Sequence, residues 1–269
     1  MATGRSGEIE IDGRRLAWRA VGAGPPLLLV NGFAATGADW DSQLLMRLAR
    51  SFEVICPDNR GAGGSELGTG ELTIDAMAAD LEALLDSLGL GPLPVAGWSM
   101  GGFVAQRLAL RAPRRLTALA LLSTDPGGTG AVPPEPQVWT DLIDHSGTPR
   151  ERATRLISLL FPPSLAPQID RQFGEVVAAA RAAFSLDSLR AQEAAMVAWH
   201  AAEQPAPGDD QPPVLIAHGE EDIVIPPANA AALAARWRGA RVERFAGCGH
   251  AFMAQEPARL AGLVGDFLA

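Results

Sequence analysis

The segment Gly97-Trp98-Ser99-Met100-Gly101 is the stretch of this chain best suited to covalent chemistry. A short apolar run, Pro94 to Ala96, precedes it, and Phe103, Val104 and Leu108 follow at helical spacing. A strand that turns abruptly into a helix forces its central residue into strained backbone and projects that side chain outward. Glycines on both flanks leave room for the neighbouring main chain. Ser99 then stands at a helix N-terminus, where aligned amide dipoles favour the negative charge that builds on a substrate under attack. The five-residue pattern recurs in ordinary turns, so its weight comes from the strand before it and the helix after it. A serine hydroxyl is a poor nucleophile at neutral pH; it needs a base to take its proton and an acid to orient that base. Four histidines are available: His145, His200, His218 and His250.

The elements that would position these groups alternate between short apolar runs and helix-length amphipathic ones, the rhythm of a mostly parallel sheet with crossover helices. Glu8 to Ile11 and Leu16 to Ala20 flank Asp12-Gly13 and predict an N-terminal hairpin. Pro26 to Val30, Val54 to Cys56, Pro94 to Ala96, Leu119 to Leu122 and Val214 to Ala217 read as strands buried on both faces, with Val242 to Phe245 a weaker last one. That makes an eight-stranded α/β sheet. Trp40, Leu44, Leu45 and Leu48 predict one helix, and Ile74, Met77, Leu81, Leu84, Leu85 and Leu88 another, with Thr73 as N-cap and Gly89 as stop. The alternation breaks between residues 125 and 213, where the Pro- and Gly-rich ends PGGTGAVPPEP and QPAPGDDQPP enclose helical patterns only. Residues 1–124 and 214–269 therefore form the expected core, and 125–213 an inserted helical cap. Val138, Trp139, Leu142 and Ile143, then Leu156, Leu159, Leu160 and Phe161, then Phe173, Val176 and Val177 give it apolar faces, suited to lidding a pocket or to packing on one another.

Composition narrows the function classes. With 269 residues, 48% of them hydrophobic and 20% charged, the chain can bury a sizeable core. A net charge of -9 opposes electrostatic capture of nucleic acid or an anionic membrane. The two cysteines, Cys56 and Cys248, form neither a CxxC pair nor a metal-site spacing, and they fit a reducing compartment. No apolar stretch follows the N-terminal arginines and no run is long enough to span a bilayer, so a cytoplasmic protein without metal or cofactor is expected.

The elbow, together with Asn31-Gly32-Phe33, PDNRGAGGS from Pro57, HGEEDIVIP from His218 and GCGHAFMAQEP ending at Pro257, resembles the α/β-hydrolase superfamily, in particular its cap-bearing esterase, lactonase and non-haem haloperoxidase-like branch. The resemblance spans nearly the whole chain and is weakest in the cap. It implies Ser99 as nucleophile, His250 as base and Asp222 as the acid, in the chain order Ser, Asp, His. Asp125 is a rival acid, since some relatives supply it from that side, whereas Glu220 and Glu221 fall off the pattern. His218 is expected to shape the turn after its strand, and His145 and His200, in helical stretches of the cap, to face solvent or the pocket. Asp58 and Arg60 are read as fixing their loop. The implied oxyanion donors are the backbone amides of Met100 and Phe33, although Asn31 stands where relatives carry histidine and leaves the loop shape open. Trp98, Phe252 and Trp139 are candidate pocket residues, the first two equally able to pack in the core.

A serine at the elbow implies acyl transfer: cleavage of an ester, lactone or thioester of a small to medium, largely apolar acyl substrate, with water completing the reaction. Relatives that open epoxides or remove halides use an aspartate nucleophile, and the epoxide enzymes add lid tyrosines, of which this chain has none. Perhydrolysis would use the same acyl-enzyme. Carbon–carbon hydrolases of the superfamily carry a longer glycine-rich loop than NGFAATG. A small-molecule receptor that keeps the fold without turnover, and a lyase or cofactor-free oxygenase on the same scaffold, are the readings from other classes.

Overall fold

A computed structural model describes residues 4–268. Its sheet has eight strands: β1 (Gly4–Ile11), β2 (Arg14–Val21), β3 (Pro26–Val30), β4 (Glu53–Pro57), β5 (Leu93–Trp98), β6 (Leu116–Leu122), β7 (Val214–Gly219) and β8 (Arg241–Phe245). They lie in the order β1-β2-β4-β3-β5-β6-β7-β8. Only the pairs β1·β2 and β2·β4 are antiparallel; every other neighbour runs parallel. The first hairpin turns at Asp12 and Gly13, both at positive φ (50° and 75°), as a two-residue turn matched to strand twist requires.

The described residues form ten α-helices, eight between strands and two after β8: α1 (Ser42–Leu48), α2 (Ile74–Ser87), α3 (Met100–Arg111), α4 (Pro136–Ile143), α5 (Pro149–Leu160), α6 (Ala166–Ala182), α7 (Leu186–Ala201), α8 (Ala228–Arg236), α9 (Phe252–Gln255) and α10 (Pro257–Leu268). Asp41 accepts from the Leu44 amide and starts α1, leaving Trp40 just outside it. Thr73 caps α2 by accepting from Ala76, and Gly89, at φ 64°, lies just past its end.

Because successive strand side chains point to opposite faces, each central strand feeds two cores. Leu28, Val30, Val95, Leu119, Leu121 and Ile216 meet the buried faces of α2 and α3. Leu27, Leu29, Ala96, Ala120, Leu215 and Ala217 meet α1, α10 and Phe245 on the other side. The uninterrupted apolar runs of the sequence are the consequence: neither face of these strands meets water.

Helices α4 to α7 all fall between β6 and β7. Thr148 and Glu151 close a reciprocal capping box that fixes the start of α5. α6 buries Ala166, Gly174 and Ala178, and the small residues allow close approach to α5. That choice of face turns Phe173 and Val176 outward, at 50% and 67% exposure, so they are absent from the cavity wall and stay largely in solvent, serving neither of the two roles the sequence left open for them.

One buried ionic group ties loop to core. Asp80 of α2 receives Arg14 from β2 and Arg60 from the loop after β4, the latter through bonds of 2.7 and 2.9 Å. Removing the carboxylate strands two guanidinium groups in a poorly hydrated site. Asp80→Ala is therefore predicted to lower unfolding free energy by about 3–5 kcal/mol, read from the urea midpoint at constant m-value; a loss under 1 kcal/mol would show that water replaces the pair.

Candidate active site

Three loops at the C-terminal ends of β5, β7 and β8 deliver Ser99, Asp222 and His250 to one region. Ser99 occupies the turn between β5 and α3 with φ 56° and ψ -124°, a left-handed setting that a side chain adopts only under constraint. The constraint is visible in its partners. The Ser99 amide donates to Leu122 O at 3.0 Å, and its carbonyl accepts from Gly102 N and from Thr124 Oγ1, each at 2.8 Å. Gly97 and Gly101 are obligatory by close approach: a methyl group on the first would strike the Gly101 carbonyl, and on the second the carbonyls of Val30 and Asn31.

Asp222 is buried in the turn after β7. Its Oδ1 accepts from the amides of Val224 and Ile225, both at 2.9 Å, and its Oδ2 receives His250 Nδ1 at 2.8 Å. Burial pushes this carboxyl upward, but the charge of His250 and the bonds from His218 and His250 more than offset it, leaving Asp222 well below the ordinary carboxylate range. His218 Nε2 donates to Ile225 O at 2.8 Å and sits 3.4 Å from Asp222, so this ring braces the turn as expected. With Nδ1 of His250 taken by Asp222, its Nε2 is the nitrogen left for chemistry. The loop carrying His250 is anchored by Trp98, whose Nε1 donates to the His250 carbonyl at 3.1 Å and whose ring lies 5.4 Å from the imidazole.

Ser99 and His250 both line a cavity of about 810 Å³. No direct hydrogen bond joins them in this state. Beside Ser99 runs the loop after β3: a Cβ placed on Gly32 would be 3.2 Å from Ser99 Cβ. Asn31 ties this loop to the core by donating from Nδ2 to Pro57 O at 2.6 Å, while Asn59 donates to Asn31 O at 2.8 Å. The amides of Phe33 and Met100 find no acceptor among the described residues. Asp58 holds the amides of Gly37 and Gly64 at 2.8 and 3.0 Å, and Arg60 is bound to Asp80, so both act on loop shape.

Other candidates fall elsewhere. Asp125 is engaged by His200 Nε2 at 3.0 Å and by the Gly127 amide at 2.8 Å and makes no bond to His250, which removes it as the rival acid. Trp98 and Trp139 line the cavity. Phe252 does not: it is fully buried with its ring 4.6 Å from Phe245, because the short helix α9 turns it into the core beneath the histidine loop. His145 lies in the loop after α4, outside the helix, paired with Glu193; it lines the cavity, as does His200. Neither cysteine competes as a nucleophile, since both are buried in the core and burial pushes the Cys56 thiol up to about 12.

Two contacts from the helical insert have no counterpart in the sequence reading. Arg181 of α6 lines the cavity and donates to Phe33 O at 3.4 Å; burial lowers its pKa, with Asp39 opposing, and no carboxylate lies within 4 Å of it among the described residues. Gln192 of α7 reaches the Ala34 amide. Neither could be found from periodicity, which gives the face of a helix but not what that face meets.

A mostly parallel eight-stranded sheet, a serine on a strained strand-to-helix turn and a carboxylate-bound histidine define the α/β-hydrolase class of architecture. The chain belongs to that family: the model of the alpha/beta hydrolase fold matches residues 25–257. It is 30% identical to the 2-hydroxymuconate semialdehyde hydrolase of Pseudomonas sp. (strain CF600), covering 97% of this chain and 93% of that one. Among solved structures it resembles the enol-lactonase of Burkholderia xenovorans LB400 (TM-score 0.79, 25% identity, 97% of this chain and 99% of that one). It also resembles a thermophilic esterase of Thermogutta terrifontis (TM-score 0.78, 26% identity, 98% of each). No helix among the described residues is long and apolar enough to cross a membrane.

The Asp125–His200 pair gives the cavity wall a pH signature. Burial lowers the His200 pKa, but the hydrogen bond and charge of Asp125 and the Met196 carbonyl raise it further, for a net rise. A raised native pKa stabilises the fold fully below the unfolded histidine value of about 6.5, and this contribution is lost as pH climbs through the native value. Asp125→Asn is predicted to lose more stability at pH 5.5 than at pH 9 in urea unfolding; equal losses at both would contradict the assignment.

Proposed function

We propose that the protein is a serine hydrolase that cleaves a carboxylic ester, lactone or thioester through an acyl-enzyme on Ser99. The observation that carries this reading is the buried Asp222–His250 bond of 2.8 Å beside the strained elbow that presents Ser99 to the same cavity. Ser99 Oγ attacks the acyl carbon as His250 Nε2 takes its proton, and Asp222 stabilises the imidazolium that forms. The free amides of Phe33 and Met100 receive the oxyanion. His250 then protonates the leaving group as the acyl bond to it breaks. In the second half His250 removes a proton from water, hydroxide adds to the acyl carbon, and Ser99 leaves with that proton restored.

The cavity suits a small to medium acyl group with one polar end. Phe33, Phe103, Trp139, Leu142 and Leu160 supply apolar wall, and Arg181 supplies a guanidinium with unused donors for an acceptor group of the substrate. A second reading, hydrolysis of a carbon–carbon bond next to a carbonyl, is favoured by the similarity to 2-hydroxymuconate semialdehyde hydrolase and uses the same groups. A panel of esters, lactones, thioesters and vinylogous keto acids compared by kcat/KM separates the two.

Ser99→Ala is predicted to lower p-nitrophenyl ester turnover by roughly 10⁶ and to abolish labelling by a fluorophosphonate; Asp222→Asn should lower kcat by about 10⁴ with KM little changed. Retained turnover in Ser99→Ala would overturn the proposal.

A further inference from the structure

The loop that carries the Phe33 amide is held from two sides, and only one of them is the core. Asn31 and Asn59 fix its start through main-chain carbonyls of the sheet side. Its far end is fixed by the insert. Gln192, on α7 and 158 residues away from Ala34 in sequence, is completely buried and uses both ends of its amide: Oε1 accepts from Ala34 N–H at 2.9 Å and Nε2 donates to Arg60 O at 3.1 Å. The opposite orientation of the amide would set donor against donor at Ala34, so the network itself assigns oxygen and nitrogen.

Ala34 needs such a partner. It sits at φ 50°, a left-handed setting that a residue with a side chain keeps only when its surroundings enforce it. The peptide between Phe33 and Ala34 is gripped at both edges by the insert, its N–H by Gln192 and its carbonyl by Arg181. Fixing that plane limits the rotation available at Phe33, whose own amide belongs to the preceding peptide and carries no protein acceptor among the described residues. The same helix α7 contributes Leu189, Met196, Val197 and His200 to the cavity wall, so the element that meets the substrate also sets the loop.

We infer that Gln192 is a positioning residue for the oxyanion hole, aiming the Phe33 amide at the carbonyl oxygen of the substrate from within the cap. The inference rests on the reading of Ser99 as nucleophile and Phe33 as donor. Its effect is largest in the tetrahedral state, because an aimed amide matters most where negative charge develops.

The test compares wild type, Gln192→Leu and Gln192→Glu with p-nitrophenyl butyrate as substrate, 1-butaneboronic acid as the tetrahedral mimic and butyrate as the planar one. Gln192→Leu should lower kcat/KM by about 10- to 100-fold, less than outright loss of a donor, and raise the boronate Ki by the same factor, with the butyrate Ki changed less than about twofold. Gln192→Glu keeps the acceptor for Ala34 and, when protonated, the donor to Arg60, so it should recover most of both losses at pH 5.5 and less at pH 8. If the leucine variant does not fold, that pH-dependent boronate affinity of the glutamate variant decides alone. Boronate and butyrate weakening together, or wild-type boronate affinity in Gln192→Leu, would overturn the positioning role while leaving the serine mechanism standing. Wild type that neither turns over the ester nor binds the boronate would overturn both.

Discussion

The site depends on the backbone at Ser99. A residue with a side chain at φ 56° costs on the order of 1–3 kcal/mol relative to relaxed backbone, and it persists because the surroundings allow nothing else. β6 holds the Ser99 amide through Leu122, Thr124 holds its carbonyl, and the glycines at 97 and 101 admit the main chain of α3 and β3 at distances no side chain tolerates. The two hydrophobic cores meet on the strands that flank this turn, so their packing sets the distance between elbow and sheet. What results is a hydroxyl placed at the first turn of a twelve-residue helix, with its position decided by the core and not by its own preferences.

Charge is managed around this turn by pairing each buried group separately. Asp222 takes two amides and His250, with His218 a further 3.4 Å neighbour, Asp125 takes one amide and His200, and Asp80 takes two arginines. The partition matters because two carboxylates competing for one imidazole would leave either that ring without a fixed orientation or a buried carboxylate unpaired. Asp125 is next to Thr124, which binds the elbow itself, yet its engagement with the insert keeps it away from His250. Arg181 departs from this scheme: a partly buried, cavity-facing cation with no ion pair within 4 Å among the described residues, Asp39 acting on it only at longer range.

Much of this was legible in the sequence, and the reason is local. Strands buried on both faces write themselves as unbroken apolar runs, and Ser99 and Asp222 each follow one of them (β5 and β7) by a few residues, while His250 follows the weaker, mostly exposed edge strand β8. All three lie in glycine-bearing turns, so strand order brings them to one edge of the sheet. Thr73 and the Asp12-Gly13 turn are equally local, each deciding its structure within four residues; Asp41, which starts α1 and leaves Trp40 outside it, is absent from the sequence reading although its signal is just as short. The insert was not legible in the same way. Phe173 and Val176 have helical spacing suited to a lid, but α6 packs through Gly174 and Ala178 and leaves them in water. Phe252, two residues beyond His250, faces Phe245 because a single turn of helix rotates it away from the cavity. Gln192 and Arg181 act over separations of about 150 residues, where no periodicity carries a signal.

The central claim is that an acyl group passes through Ser99. Rapid chemical quench of the wild-type protein with a series of p-nitrophenyl esters, followed by peptide mass analysis, tests it most directly. The account predicts an acyl mass increment on the peptide containing Ser99, formed in step with the first burst of p-nitrophenol and lost as carboxylic acid appears. Turnover at full rate with no acyl mass on that peptide, for any ester in the series, or with the increment on another residue, would contradict it.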